Sequence, residues 1–467
     1  HSSYKILDYI NNFSFDRTGD VKIEIVDGIT NFVAKILLNM KIDQLSKEDI
    51  LKLRTFCIYG LGTTGKSVIN YFNRENFKKY DVWDDNISVK TKVDNFSTNL
   101  DAADFIVMSP GISIKKSKLK KKLIENKDKI ITDLDLFYLF NPEIKTIVVT
   151  GTNGKSTTCK ILEHVLKKND INVRLGGNIG KPVLDLDLRN QPIVIIEASS
   201  FQLAYSQYVR PEYAVILNIT KDHLDWHSSY RDYINSKFKI FSEQKKNDFA
   251  FLNNKIFLEK FKKEKYKSKL KFVNIKKYKR IKKKIKNNYL NSYPNEENMS
   301  FVYDLSKILK INEKSLINSL KSFKGLSHRH EIFYRKKNKT FINDSKATGF
   351  EASKFALKSN KNIFWIVGGL PKTGDRFQLG EIKKNIIKTY IIGKHMKNFK
   401  KYLKGNVNFQ LCSTLKNAII AIFKDTRNIR NREITILLSP ASASYDQFKN
   451  FEERGDCFKN LIIKKFK

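Results

Sequence analysis

Gly151-Thr152-Asn153-Gly154-Lys155-Ser156-Thr157 packs more chemistry into seven residues than any other stretch of the chain. Two glycines let backbone N–H groups converge, Lys155 adds a full positive charge, and Ser156 offers a hydroxyl to a divalent cation. Those are the parts of a phosphate-binding loop. The general pattern has an earlier glycine five residues before Gly154, where this chain has Val149, so the motif is met in a shortened form. A chance Gly/Lys turn before a surface helix would use the same letters. The flanks argue against that: β-prone Ile147-Val148-Val149-Thr150 leads in, and Ile161, Leu162, Val165 and Leu166 share one face of a following helix. That helix aims the partial positive charge of its N-terminus at the same phosphate.

Other residues of chemical interest also follow apolar runs. Residues 193–196 read as a buried strand ending in Glu197, a carboxylate at the C-terminal edge of a sheet, where Mg²⁺ would face the loop. A carboxylate after a strand is otherwise a solvated end. Residues 214–217 lead to Asn218 and then Thr220-Lys221-Asp222-His223-Leu224-Asp225, where His223 is either a metal ligand or an ordinary surface histidine. Residues 230–241 read as helical and contain Lys237, and Gly176–Gly180 reads as a turn carrying Asn178.

A second glycine motif lies nearer the start. Residues 55–59 read as a strand, GLGTTG at 60–65 as a turn, and Val68, Ile69 and Phe72 as a helix face. This is G-x-G-x-x-G in its strand–turn–helix setting. A strand at 81–85 ends in Asp84 and Asp85, where nucleotide folds contact ribose or base, and residues 105–108 run into Ser109-Pro110-Gly111-Ile112. The glycine motif alone suits a dinucleotide enzyme equally well. A separate nucleotide loop at Gly151, and no recognisable hydride-transfer site, weigh against that. In the last third, expected strands at 340–343, 363–367, 390–392 and 434–438 alternate with helices. The chain as a whole is therefore α/β.

At 467 residues it has room for about three domains at roughly 150 residues each. Hydrophobic residues at 41%, with 33 Phe, can furnish cores, which excludes disorder as the default. No apolar run approaches the ~18 residues of a membrane helix, and the first residues lack the order of a signal peptide. Cys57, Cys159, Cys412 and Cys457 form no C-x-x-C pair and read as reduced thiols, so a cytoplasmic protein is expected.

The net charge is +40, enough to attract nucleic acid, anionic lipid or a nucleotide. Abundant Lys, Asn, Ile, Phe and Tyr also follow from an AT-rich coding sequence, which favours solvated lysines. Lys255 to Lys286 is densest, with fifteen Lys and Arg280 against Glu259 and Glu264, and it carries no aromatic ladder for nucleic acid. It reads as variable surface, and the polar stretch ahead of Asn295 as hairpin-rich. A helix is expected within 25–42.

Together GLGTTG, SPGI, VTGTNGKST, GGNIG, EASSFQL, NITKDHLD, GLSHR, NDSKAT, GG-x-x-K and SPASASYDQFKNFEERG resemble the Mur ligases, from about Arg54 to the C-terminus. NDSKAT and the last stretch resemble the branch that adds D-glutamate. GTNGKST is shared with folylpolyglutamate synthases. The resemblance implies three domains: a Rossmann-like UDP-substrate domain at 51–141, a P-loop ATPase domain at 142–326 and a Rossmann-like amino-acid domain at 327–467. Residues 1–50 form a segment of unknown role. It implies ATP-driven amide formation between UDP-N-acetylmuramoyl-L-alanine and D-glutamate in peptidoglycan precursor synthesis, with two Mg²⁺ sites, no nucleic-acid partner and a monomeric chain.

By the same resemblance, Gly151 to Thr157 with Asn295, Asn298, Arg329 and Asp344 bind ATP, and Lys155 contacts its β- and γ-phosphates. Ser156 and Glu197 hold one Mg²⁺; His223 and a carbamoylated Lys237 hold the other. Asn178 lies near the acyl and phosphate groups. Thr63, Thr64, Asp84, Ser109 and Gly111 resemble the UDP site, and Lys346, Thr348, Lys372, Ser444, Tyr445 and Phe451 the D-glutamate pocket. The chain departs from the family at Asp85-Asn86, where Thr-Arg is usual, at Ser327 for Pro and at Tyr445 for Leu; Gly349-Phe350 is also unusual. Alternatives are a superfamily ligase for another amino acid or a folate, and a nucleotide-binding relative without catalysis.

Overall fold

A computed structural model describes residues 13–15, 21–23, 51–86, 96–97, 99–287, 289–290, 293–371, 375 and 377–466. The helix expected within 25–42 and the candidate Lys372 lie outside the described residues. Within the first fifty residues an antiparallel pair is described, β1 (Phe13–Phe15) with β2 (Val21–Ile23). The chain divides into two compact units, His1–Phe323 and Lys324–Lys467.

The first unit holds two parallel sheets. One has the order β4-β3-β5-β6, from β3 (Phe56–Tyr59), β4 (Tyr80–Trp83), β5 (Phe105–Met108) and β6 (Ile130–Ile131). The other comprises β7 (Thr146–Thr150), β8 (Val173–Gly177), β9 (Ile193–Glu197), β10 (Tyr213–Ile216), β11 (Phe249–Leu252) and β12 (Lys269–Phe272). Its order is β12-β11-β10-β7-β9-β8. The chain moves to one side of β7 for β8 and β9, then crosses to the other for β10 to β12. The loop after β7 therefore opens at a topological switch point, where open α/β sheets bind ligands.

Every residue of β3, β5 and β7 is buried, as a parallel strand covered on both faces requires. Phe56, Val107 and Leu136 belong to the same hydrophobic cluster as Val148, Ile196 and Ile216, so the two sheets share a core. The helix Lys155–Lys167 buries Ile161, Leu162, Val165 and Leu166. Each is worth roughly 1.5–3 kcal/mol relative to exposure, and together they fix the phosphate loop at the helix N-terminus.

Two expectations need correction. The polar stretch ahead of Asn295 is not hairpin-rich: its lysine-dense part forms the helix Lys255–Lys263, strand β12 and the helix Ile275–Ile285. Phe257, Phe261, Tyr278, Ile281 and Ile285 are buried at helical spacing, while Asn254 and Asn274 cap the two helices by accepting from Ile256 N and Lys276 N. Dense lysine masked that period. Gly176 and Gly177 finish strand β8 instead of making a free turn. A Cβ on Gly177 would come within 2.5 Å of the Glu197 carbonyl oxygen, so glycine is what permits strand pairing there.

The second unit is built on β13 (Glu331–Lys336), β14 (Lys339–Asn343), β15 (Ile363–Gly368), β16 (Ile386–Ile392), β17 (Phe409–Ser413) and β18 (Ile434–Leu438). The order is β13-β14-β18-β15-β16-β17, parallel except for the β13–β14 hairpin. Alternating residues of its strands enter two separate cores: Phe364 and Ile366 one, Trp365 and Val367 the other.

Candidate active site

Strand β7 ends at Thr150, and the chain turns through Gly151 and a left-handed Gly154 (φ 85°) into the helix Lys155–Lys167. A Cβ on Gly154 would lie 2.2 Å from Asn298 Oδ1, so Asn298, on the helix Tyr293–Ile308, rests directly against the loop. Its Nδ2 donates to Asn295 Oδ1 at 3.4 Å, and Asn295 Nδ2 donates to the Tyr289 carbonyl at 2.8 Å. The fold thus joins Asn295 and Asn298 to a loop about 140 positions earlier.

The loop is also fastened from β10. Thr152 N donates to the Asn218 carbonyl at 2.8 Å, and Asn153 N to Asn218 Oδ1 at 2.9 Å. Thr152 Oγ1 and Tyr233 OH are 2.9 Å apart. Lys155 Nζ donates to the carbonyls of Gly151 (2.8 Å) and Thr152 (3.0 Å), and Lys237 Nζ donates to Gly151 O at 2.9 Å. Ser156 and Thr157 are buried in the first helical turn.

Glu197 lies beside the loop because β9 pairs with β7 on one side and β8 on the other, matching Glu197 to Val149 and to Gly177. Its side chain is 2% exposed. Oε1 accepts from Asn178 Nδ2 at 2.8 Å, while buried Oε2 finds no hydrogen-bond partner among the described residues. A buried, half-satisfied carboxylate is costly unless a further cation or donor completes it. A buried, partnerless carboxylate oxygen on the strand paired with β7, whose loop carries Ser156 into a helix N-terminus, suits a hard cation such as Mg²⁺, so these residues fit that ion.

His223 adopts a left-handed backbone (φ 54°) and packs against Phe201, ring centroids 4.8 Å apart, with its Nε2 3.5 Å from Asp222 Oδ2. Lys237 is 1% exposed, its Nζ 4.6 Å above the Tyr233 ring. Burial, reinforced by the Lys155 charge and opposed by Asp222, pushes the Lys237 amine well below the usual lysine range. Tyr233 and His227 were missed from sequence. Tyr233 precedes Lys237 by four residues on the helix Tyr230–Phe238, a same-face spacing that was there to be used. His227 sits 3.0 Å from Ser200 Oγ through Nε2, and burial lowers its pKa to about 4.

In the first sheet, Thr63, Thr64, Asp84, Ser109 and Gly111 all follow the C-terminal ends of β3, β4 and β5. Leu61 N donates to Asp84 Oδ2 at 2.7 Å, which, with donation from Asn86, holds that carboxyl below its usual range. Ser109 Oγ donates to the Gly60 carbonyl at 2.8 Å. A Cβ on Gly65 would overlap that same carbonyl at 1.8 Å, so glycine lets the helix Thr63–Arg74 start against the strand end. Tyr205 OH donates to Ile112 O and accepts from Ile114 N, both at 3.1 Å, linking this loop to the helix that follows Glu197.

The second unit gathers its own set. Asp344 follows β14; its Oδ2 accepts from Ser439 Oγ at 2.7 Å and its Oδ1 from His330 N at 3.0 Å. Burial pushes its pKa up to about 7 against those bonds and the Arg329 charge. Lys346 Nζ lies 3.7 Å from the Phe451 ring centre. Ser444 is buried, Thr348 half-buried, and Tyr445 71% exposed. Arg454, also missed, is 1% exposed and donates to Ser345 Oγ (3.0 Å), Ser345 O (2.8 Å) and Ser442 O (3.0 Å). It locks the Ser345–Lys346 turn to the Ser439–Ser444 loop.

A switch-point phosphate loop, a half-satisfied carboxylate on the adjacent strand and a buried low-pKa lysine define a phosphate-handling nucleotide site on an α/β scaffold. Comparison with known proteins narrows that class. Residues 149–316 match the Mur ligase middle domain. The UDP-N-acetylmuramoylalanine–D-glutamate ligase of Wolbachia sp. subsp. Brugia malayi is 34% identical over 90% of this chain and 98% of its own length. That of Rickettsia prowazekii is 34% identical over 86% and 96%. The MurF ligase of Thermotoga maritima, solved in complex with ADP, shares the fold at 16% identity, with a TM-score of 0.52 over 89% of this chain and 99% of that one. The chain belongs to the Mur ligase family, among its UDP-N-acetylmuramoylalanine–D-glutamate ligases.

Proposed function

We infer that this chain is an ATP-dependent ligase that joins D-glutamate to UDP-N-acetylmuramoyl-L-alanine in peptidoglycan precursor synthesis. The observation that carries the reading is 34% identity to ligases of that name across nearly their whole length. The alanyl carboxylate takes the γ-phosphoryl group of ATP, the amine of D-glutamate attacks the acyl phosphate, and phosphate leaves. The reaction crowds anions together, so it needs fixed cations and donors that stabilise the charge as it moves.

In this reading the Gly151–Thr157 loop wraps the ATP phosphates, with Lys155 leaving its loop carbonyls for the β- and γ-phosphates. Mg²⁺ bound by Ser156 and Glu197 would neutralise phosphate charge and complete Glu197 Oε2. Asn178, already donating to Glu197 Oε1, keeps the carboxylate turned toward the loop. His223 and Lys237 would hold a second Mg²⁺, the lysine as an anionic carbamate formed when its neutral amine adds CO₂ and releases a proton. Only a neutral amine does this, and burial of Lys237, reinforced by the Lys155 charge, favours that form. Asn295, Asn298, Arg329 and Asp344 are assigned to ATP. Thr63, Thr64, Asp84, Ser109 and Gly111 are assigned to the UDP group, and Lys346, Thr348, Lys372, Ser444, Tyr445 and Phe451 to D-glutamate.

The segments 51–141, 142–326 and 327–467 are the corresponding UDP-substrate, ATP and amino-acid domains. No helix among the described residues is long and apolar enough to cross a membrane, and four free cysteines suit a reducing cytoplasm, where a monomer would act. Phosphate release is the test, measured with ATP, Mg²⁺, UDP-N-acetylmuramoyl-L-alanine and either enantiomer of glutamate. Release with D-glutamate alone, and a product heavier by one glutamyl group, is expected. Release with another amino acid instead would reassign the chain within the superfamily.

A further inference from the structure

The lysine-rich module at the open edge of the central sheet has no part in the ligase reading. Its helices Lys255–Lys263 and Ile275–Ile285 bracket the edge strand β12 in sequence. Of the sixteen cations between Lys255 and Lys286, four form ion pairs: Lys260 with Glu264, Lys277 with Asp304, Lys282 with Glu296 and Lys284 with Glu313. The other twelve form no ion pair among the described residues, and all twelve are exposed. Fold stability does not explain them, because the module's apolar faces are already filled by Phe257, Phe261, Tyr278, Ile281 and Ile285.

A second feature lies among these charges. Ile256 is 71% exposed and Phe272 41% exposed. Strand register pairs Leu252 with Phe272, and Ile256 lies four residues beyond Leu252. Phe272 therefore ends the edge strand β12, and Ile256 lies in the first turn of the helix that follows its neighbour β11, each with a lysine directly before it in the chain. We propose that this edge is a docking surface for an anionic phospholipid bilayer, with the lysines drawn to the headgroup phosphates and Ile256 and Phe272 entering the interface.

The composition favours a bilayer over nucleic acid. Fifteen of the sixteen cations are lysine, point charges suited to a fluid array of phosphates, whereas RNA recognition draws on arginine forks and stacked aromatic rings. Exposed aliphatic and phenyl groups gain from an acyl boundary and gain little from a phosphodiester backbone.

Co-sedimentation of the full chain with vesicles tests the proposal. Binding is expected to phosphatidylglycerol–phosphatidylcholine vesicles and not to phosphatidylcholine alone, and it should weaken with salt. The triple variant Lys276→Gln, Lys279→Gln, Lys283→Gln should lower partitioning about a hundredfold, at roughly fivefold per charge. Phe272→Ser should lower it about tenfold at unchanged charge. Ligase turnover, unchanged in both variants, reports that they are folded. Phe272→Trp should show a fluorescence blue shift on adding anionic vesicles. Equal binding to neutral vesicles, an unshifted Phe272→Trp spectrum, or tighter binding to polyuridylate than to vesicles would overturn the proposal. None of these outcomes depends on which amino acid the ligase adds.

Discussion

Glu197 concentrates the residue-scale argument. One oxygen is satisfied by Asn178 and the other is buried without a partner among the described residues, so the side chain is arranged for a cation and not for its own stability. Glu197→Gln removes the charge while keeping the shape. It should lower phosphate release at least ~100-fold and raise the Mg²⁺ concentration needed for half-maximal rate. The melting temperature should hold or rise, because a buried carboxylate has become a neutral amide. An unchanged Mg²⁺ requirement would remove Glu197 from the metal site. Lys237 shows the same trade between stability and chemistry: it is buried near a second lysine, where an ammonium is disfavoured and a reactive amine results.

At the scale of elements, the loop between β7 and the helix Lys155–Lys167 depends on one backbone conformation. Gly154 is left-handed and pressed against Asn298. Gly154→Ala meets two separate costs, about 1–2 kcal/mol for a Cβ in that conformation and a further amount for displacing the buried amide. Urea unfolding should show the combined loss, and calorimetry should show ATP affinity down at least ~10-fold. Adding Asn298→Ala should restore only the part due to crowding. Full recovery would mean that the backbone conformation carries no cost. The module from Lys255 to Lys286 teaches a different lesson about elements. Its helices exist because two asparagine caps and five buried apolar side chains set the period, whatever the lysines between them do.

At the scale of the whole molecule, the two compact units make separate predictions. The second has a sheet with filled cores on both faces, so residues 324–467 expressed alone should unfold cooperatively. Asp344 gives that fragment a pH signature. Its pKa is raised from 3.8 to about 7, so the folded state holds a proton that the unfolded chain releases between those values. More protons bound in the folded state mean that this group's contribution to stability falls as pH rises through that window. Asp344→Asn abolishes the term. The melting temperature of the wild-type fragment minus that of the variant should decrease steadily from pH ~4 to pH ~7. A constant difference would show that Asp344 titrates normally.

Much of this protein was legible in the chain because its chemistry is local. Gly151 to Thr157 needs only a strand, two glycines and a helix in succession, and residues 147–149 of β7, 193–196 of β9 and 363–367 of β15 declare themselves as the unbroken apolar runs that a sheet covered on both faces requires. Sequence alone therefore determined the α/β class, the phosphate loop and Glu197 as a strand-end carboxylate. Tertiary structure decided what depends on neighbours distant in sequence: the placing of Asn298 against Gly154, the hold of Asn218 and Tyr233 on the loop, and the burial of Arg454. It also decided the lowered pKa of Lys237, which is a property of burial and of Lys155's charge more than eighty residues away. Residue type sets what a group can do, but desolvation and the field of surrounding charges set which form it takes, and both arise only when the chain has folded.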